Sequence, residues 1–352
     1  MANLYCTREA VKRAGNIHGA NYDAQIDRLI EDASRSLDLL TRRRFIPETA
    51  TKLYRWPQRN GGSYVLWLSH DLLSLTTLQS KAQDATPTTI AAADYFLEPQ
   101  EYGPPYNRIE IDLSSTAAFE PGDTPQRSIS VLGSWGYTNA TKTAGTVSSG
   151  LASSASAVTF VCSNGALIGV GDTLLIESEQ LFVSGRAFAA LGTILLNDAA
   201  VTADMSNVSI TVDASHGINQ GETIKVDSEE IYVSSVVGNV LSVIRAYNGT
   251  VLAAHANDTA VQVERTLTVE RGVNGTTAAT HADATAVSKY APPLPIVTLC
   301  IGEVLAAYAQ EVGHWGRTVG AGEGAAEFST RALAARRKEV AALYKRGRLG
   351  AI

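Results

Sequence analysis

The sequence predicts an α+β protein: a small helical core with a short β section, interrupted by an all-β insertion domain built from repeats. Three observations predict it. Both ends of the chain carry helical periodicity, the middle carries the alternation of strands, and part of the middle recurs fifty positions on. The 352 residues, 45% hydrophobic and 18% charged, suit a folded chain of two or three domains rather than disorder. A net charge of −6 argues against a generally basic nucleic-acid binder. MANLYCTREA lacks an apolar leader, so folding in a cytoplasm is expected. Cys6, Cys162 and Cys300 are widely spaced and odd in number, which fits buried free thiols better than a disulfide or metal site.

The helical elements come first. Thr7 is placed to cap a short helix over Arg8–Ala14, closed by Gly15. A stronger helix begins at Asn21 or Asp23 and runs to about Arg42. Its stripe is Ile26, Leu29, Ile30, Ala33, Leu37 and Leu40, opposite Asp27, Arg28, Glu31, Asp32, Arg35 and Asp38. Arg42, Arg43 and Arg44 close it. They read either as dipole-complementing, solvated residues or as a subunit or phosphate (DNA) contact.

From Phe45 to Tyr137 short strand-like runs alternate with turn residues. Thr51–Trp56, Tyr64–Leu68, Leu72–Gln79, Tyr95–Glu98, Arg108–Ile111 and Ser128–Leu132 are expected as strands. Trp56, Trp67 and Trp135 are expected to anchor this sheet against the helices. Residues 138–156, almost all Thr, Ala, Gly, Ser and Asn, read as a linker or a flexible edge.

The repeat follows. Residues 171–183, GDTLLIESEQLFV, match residues 221–233, GETIKVDSEEIYV, and Val158–Val161 aligns with Val208–Thr211 at the same offset. A second echo has another spacing: Arg245, Asn248-Gly249-Thr250, Ala253 and His255 recur as Arg271, Asn274-Gly275-Thr276, Ala279 and His281. Asn-Gly supplies the left-handed backbone of a tight turn. The two histidines show no Cys, His or Asp at ligand spacing, so a repeated structural role is expected rather than metal. Glu177/Glu179 and Asp227/Glu229, two apart, read as a solvated strand face. No carboxylate or nucleophile arrangement predicts catalysis, and no cofactor is expected.

Helix returns at Pro295–Val312, apolar around most of its circumference, which demands cover on several sides. It reads as too short and too interrupted to cross a bilayer. Residues 313–328, rich in glycine, read as a flexible linker rather than a phosphate loop. A last helix, about Ser329–Arg346, sets Leu333, Val340, Leu343 and Tyr344 on a stripe among Arg331, Arg336, Arg337, Lys338, Lys345 and Arg346, with Arg348 beyond. Such a segment is expected to order on a partner: Arg336, Arg337, Lys338, Lys345 and Arg346 on an acidic surface, and Leu333, Val340 and Tyr344 in an apolar groove.

Taken together, the Thr7 entry helix, the helix ending Thr41-Arg42-Arg43-Arg44, the β section closing on Ser130-Val131-Leu132-Gly133-Ser134-Trp135-Gly136-Tyr137, the Pro-led helix and the basic terminal helix resemble the head–tail connector (adaptor, or head-completion) proteins of long-tailed bacteriophages. The resemblance covers roughly residues 1–137 and 291–352. It implies a discontinuous helical connector core, 1–140 and 291–352, with residues 141–290 as the β insertion domain. It implies a structural virion protein: a homo-oligomeric ring, commonly a dodecamer, beneath the portal protein. A tail-side connector or terminator protein would lie below, and DNA would pass through the lumen without sequence-specific contact. The same family implies a virion-neck location, assembly in a bacterial cytoplasm, and no membrane partner. An alternative function is capsid or tail decoration or adhesion, with the β repeats binding a host-surface or virion partner.

Overall fold

The computed structural model describes residues 3–57, 63–149, 151, 157–190, 196, 200–206, 208–312, 318–319, 326–327 and 331–347. It corrects the expected fold class. The described chain is mostly β, with two large antiparallel sheets of six and ten strands and only four α-helices. The helices pack together without forming the body on which a short β section hangs.

Thr7 caps α1 (Arg8–Gly15) by accepting from the Ala10 N–H at 3.2 Å, and Asn16 ends it in the left-handed conformation. The second helix, α2 (Asp23–Thr41), buries Ile26, Leu29, Ile30, Ala33 and Leu37 of the stripe, half-buries Leu40, and stops at a left-handed Arg42. Six strands follow: β1 (Glu48–Tyr54), β2 (Val65–Ser80), β3 (Thr88–Ile90), β4 (Tyr95–Glu98), β5 (Tyr106–Ile111) and β6 (Ile129–Trp135). Their order is β1-β6-β2-β5-β4, with β3 on β2. Sequence reading split β2 in two at Ser69-His70-Asp71. The strand runs through as an irregularity in its pairing with β5, and this makes the sheet larger than expected. Trp135 is buried, donates to the Ala50 carbonyl at 2.8 Å and packs with Trp56 in the sheet's own core, while Trp67 is 47% exposed beneath Arg108. The expected anchoring against the helices is corrected, since the helix cluster holds no tryptophan among the described residues.

The larger sheet comprises β7 (Thr141–Thr146), β8 (Thr159–Val161), β9 (Thr173–Ile176), β10 (Glu179–Ala189), β12 (Ser209–Thr211), β13 (Thr223–Val226), β14 (Glu229–Val237), β15 (Val240–Ile244), β17 (Val261–Glu270) and β18 (Ala286–Tyr290). A separate pair joins β11 (Ala200–Val201) to β16 (His255–Ala256). Of the two readings of 138–156, linker or flexible edge, the described part is an edge: strand β7, followed by buried Val147 and Leu151. Small polar residues there are compatible with an edge, and the few apolar ones point inward.

The repeat is a nested duplication. Cross-strand pairs Phe182↔Glu270, Val183↔Val269 and Ala187↔Thr266 recur as Tyr232↔Ile244, Val233↔Val243 and Val237↔Val240, with a bulge at the same place in each. Likewise Val287↔Ile176 matches Val261↔Val226, and Leu267↔Phe160 matches Leu241↔Ile210. The first copy therefore opens with β8, β9 and β10, is interrupted by the whole second copy, and closes with the later part of β17 and β18. Strand β17 serves both: Val261–Val263 completes the second copy on β13, and Thr266–Glu270 completes the first on β10.

Both copies rest on the helical end. The Arg8 N–H donates to the Val170 carbonyl at 3.1 Å, and the Val170 N–H donates to Glu9 at 2.9 Å. Asn3 and Asn274 exchange side-chain hydrogen bonds, and Lys12 donates to Asn248 at 3.2 Å. The left-handed Gly275 lies so near β1 that a Cβ would stand 2.1 Å from the Thr49 carbonyl oxygen.

The chain ends in α3 (Leu294–Val312), the short antiparallel pair β19 (Thr318–Val319) and β20 (Ala326–Glu327), and α4 (Arg331–Tyr344). Most of the expected 313–328 linker lies outside the described residues. By length and by a mean hydropathy of 1.3, α3 does reach what a bilayer crossing requires, contrary to the sequence reading. Here it packs against α1, α2 and α4, with Ile296, Leu299, Cys300 and Val304 buried in one cluster with Ile26, Ile30, Leu37, Phe45 and Val340.

Nesting makes a prediction. The β14–β15 turn at Gly238-Asn239 occupies the position at which the first copy accepted the second. An insert of about ten Gly/Ser residues there should cost only about 1–2 kcal/mol in chemical denaturation. The same insert between Gly169 and Val170, beneath α1, should cost clearly more. Equal losses at both sites would contradict the nested reading.

Candidate functional site

Four places carry the charged chemistry. The first is the outer surface of α4. Val340 is wholly buried, Leu333 packs beside it, and Tyr344 stands edge-on to Phe45 and Tyr137 at 5.7 and 5.5 Å. The groove that sequence reading assigned to a partner is supplied here by the chain itself. Arg337 pairs with Glu303 at 2.9 Å and donates to Ser36 at 3.2 Å. Arg346 is buried; its N–H donates to the Thr41 carbonyl and its guanidinium to the Leu68 carbonyl, each at 2.8 Å. Of the eight expected docking residues, Lys338 and Lys345 are exposed and Arg336 is half-exposed in a pair with Glu339 at 2.7 Å, beside a Leu343 that is 63% exposed.

The second place is the corner after α2. Arg43 lies over the Tyr137 ring, pairs with Asp71 at 2.6 Å and donates to the Tyr344 carbonyl at 2.7 Å. Arg346 meets the other oxygen of Asp71 at 3.0 Å, so one buried carboxylate ties the end of α2 to the chain's last described turn. Arg44 pairs with Glu48, and Arg42 is the exposed left-handed cap. A cleft of about 290 Å³ lies among Arg42, Arg43, Arg44, Lys52, His70 and Asp71. Burial and the neighbouring Lys52 and Arg346 hold the His70 pKa below its usual value. Of the three arginines, Arg43 is committed to the fold and Arg42 alone points outward unpaired by the caps and bridges described.

The third place is a pair of equivalent buried knots. Glu229 accepts five hydrogen bonds: two from Arg245 at 2.7 Å, one each from the Ala246 and Ala253 N–H groups at 2.8 and 3.1 Å, and one from His255 Nε2 at 2.9 Å. Glu179 takes the matching five from Arg271, Gly272, Ala279 and His281. The far nitrogen of each ring faces a second carboxylate, Asp227 at 2.8 Å or Glu177 at 3.0 Å. Burial opposes charge on both central carboxylates, but the arginine, backbone and histidine donors outweigh it and hold each at about 2. The expected solvated strand face is thereby corrected. Glu177 and Asp227 sit in two-residue turns with φ of 53°, so their partners two residues on point into the core instead.

The fourth place is the joint between α1 and the repeats. Arg186 pairs with Glu264 at 3.0 Å and approaches Glu9 at 3.8 Å, with Lys12, Asn248 and Glu230 alongside. Burial, opposed by Arg186 and helped by Glu9 and Glu230, pushes the Glu264 carboxyl up to about 7. Among the described residues no cluster of three or more His, Cys, Asp or Glu side chains could hold a metal ion. No protein-family model, curated protein or solved structure matches the chain.

Two predictions follow from these ion pairs. Glu229→Gln leaves Arg245 buried and uncompensated, and should cost about 3–5 kcal/mol in urea unfolding. Asp227→Asn, at a half-exposed carboxylate, should cost less than about 1 kcal/mol. The knots stabilise the fold above the ordinary carboxylate range near 4.5, and this contribution is lost as pH falls through about 2. Glu264 has the opposite sign. Its raised pKa stabilises the fold below about 4.5, and that contribution is lost as pH rises through about 7. Glu264→Gln should therefore flatten the fall in melting temperature between pH 5 and 8; an unchanged slope would exclude Glu264 as its source.

Proposed function

We propose that the chain is a structural virion protein, a head-to-tail adaptor that assembles as a ring beneath a portal and lets DNA pass. The observation that carries this reading is the divided surface of the helical end. Its interior is closed by α1 to α4, while Leu39 of α2 and Leu343 of α4 stand 81% and 63% exposed, Leu343 on the same helix as Arg336 and Lys338. Exposed apolar side chains among cations suit a contact with another subunit or an acidic protein surface. The buried carboxylates Glu179 and Glu229 are satisfied inside the fold, which suits a structural role for the repeats. A heterologous contact that closes by rotation would give the ring. In this reading α4 offers Arg336 and Lys338, and the turn after it Lys345, to the portal, and Leu333, Val340 and Tyr344 fix the helix to its own subunit.

A second reading, decoration or adhesion through the β repeats, has its own support. The duplication contains an internal comparison: Val237, Val240 and Ile244 of the second copy stand where the first has Ala187, Thr266 and Glu270. All three valine and isoleucine side chains are exposed at the distal hairpin. Apolar residues acquired on the outer face of one copy suit a contact there.

The test is binding of the purified protein to purified portal rings, with its own assembly followed by mass photometry. Arg336→Glu with Lys338→Glu and Lys345→Glu should leave the melting temperature within a few degrees and abolish portal binding, while Val237→Asp with Ile244→Asp leaves it intact. A wild-type chain that stays monomeric and ignores portal at all accessible concentrations would overturn the adaptor reading. Host-cell or capsid binding lost only in the distal-hairpin variant would favour the second.

A further inference from the structure

The core of the helical end contains a pair of thiols that no ion pair, site or interface above uses. Cys6 lies in the extended segment before α1, and Cys300 lies in the middle of α3. Their Sγ atoms are 3.4 Å apart, and both residues are buried. The geometry around them is fixed from three sides. The Tyr5 N–H donates to Ser34 Oγ of α2 at 3.1 Å, and that same oxygen lies 3.7 Å from Cys300 Sγ. From the β side, Gly171 closes over the segment, where a Cβ would meet the Cys6 carbonyl oxygen at 3.1 Å. The third thiol, Cys162, lies in another cluster, the core of the first repeat, among Phe160, Leu174 and Leu267.

We propose that Cys6 and Cys300 form a reversible oxidative lock, a dithiol in a reducing cytoplasm and a disulfide in an oxidising medium. The bond requires the sulfurs to close from van der Waals contact to about 2 Å, a movement within reach of side-chain rotation. The oxidant is a small disulfide such as oxidised glutathione. A protein thiolate attacks it, one small thiol leaves, the second protein thiolate displaces the other, and a protein disulfide and two small thiols result. The two protein thiols are oxidised by two electrons and release two protons, which the departing thiolates take up. Since both sulfurs are buried, the first attack waits for local opening of the segment around Cys6, so the lock closes slowly at rest and faster near the unfolding transition.

Closing it joins residues 6 and 300, and the loop so formed contains both sheets. Cross-links over long loops restrict the unfolded chain most, so oxidation should raise the thermal midpoint by on the order of 5 °C. The N-terminal segment would then be fastened to α3, whose cover the whole helical end needs. This inference is independent of the adaptor reading, since it concerns one chain and needs no partner.

The experiment treats the full chain with oxidised glutathione, or with diamide, just below its unfolding temperature. It counts thiols by maleimide mass spectrometry in guanidinium. Three alkylated cysteines before treatment should fall to one, Cys162, with peptide mapping joining Cys6 to Cys300 and dithiothreitol restoring all three. Cys162→Ser should behave as wild type in cross-linking and midpoint shift. Cys300→Ser and Cys6→Ser should each lose both, and either suffices if the other fails to fold. Three alkylated thiols after treatment, a bond containing Cys162, a bond between chains, or a cross-link without a rise in midpoint would each overturn the proposal.

Discussion

A carboxylate sealed inside a β-hairpin is the interaction on which the large sheet depends. Glu179 and Glu229 are fully buried and would be costly as bare charges. Each becomes tolerable because five donors converge on it, from 16–26 residues away for Glu229 and from 92–102 residues away for Glu179. Arg271 and His281 reach Glu179 across the entire second repeat. The knot therefore does more than cancel charge: it fastens each hairpin to the segment that returns to it. Glu222, held by Arg265 at 2.6 Å and by the Gly165 N–H at 2.8 Å, applies the same device between the copies.

The sequence made part of this legible. The Thr7 cap, the α2 stripe, the Pro-led helix and the repeat could be read because each is a local pattern. The nesting was also present, as two echoes with different offsets, but an offset tells of copying and not of where the copied strands pair. The knots were not legible. Glu177 and Glu179 look like neighbours on one strand face until the turn between β9 and β10 is known, and then one is exposed and the other buried. The low content of large apolar residues hid β7, whose few inward side chains suffice at an edge. The balance of helix and sheet was misjudged because helical periodicity is conspicuous at the termini, whereas β2 is interrupted by Ser69-His70-Asp71 in composition but not in course.

The terminal helix shows the same limit from another side. Basic composition and an apolar stripe are what a partner-seeking segment would have, and equally what a helix folded on its own body would have. Contact resolves the two faces: Val340 and Tyr344 reach Phe45 and Tyr137 inside the chain, and Arg346 shares Asp71 with Arg43. The outward remainder is smaller than sequence suggested, and the proposed docking surface is correspondingly narrower. Cys6 and Cys300, 294 residues apart, likewise became a pair only through the packing of α3.

Electron cryomicroscopy of the neck of intact particles tests the proposed role most directly. The account predicts a closed ring of this chain between portal and tail, with α4 against the portal and the nested repeats away from it. Density for this chain only on the capsid exterior or the tail tip, with none at the portal, would contradict it.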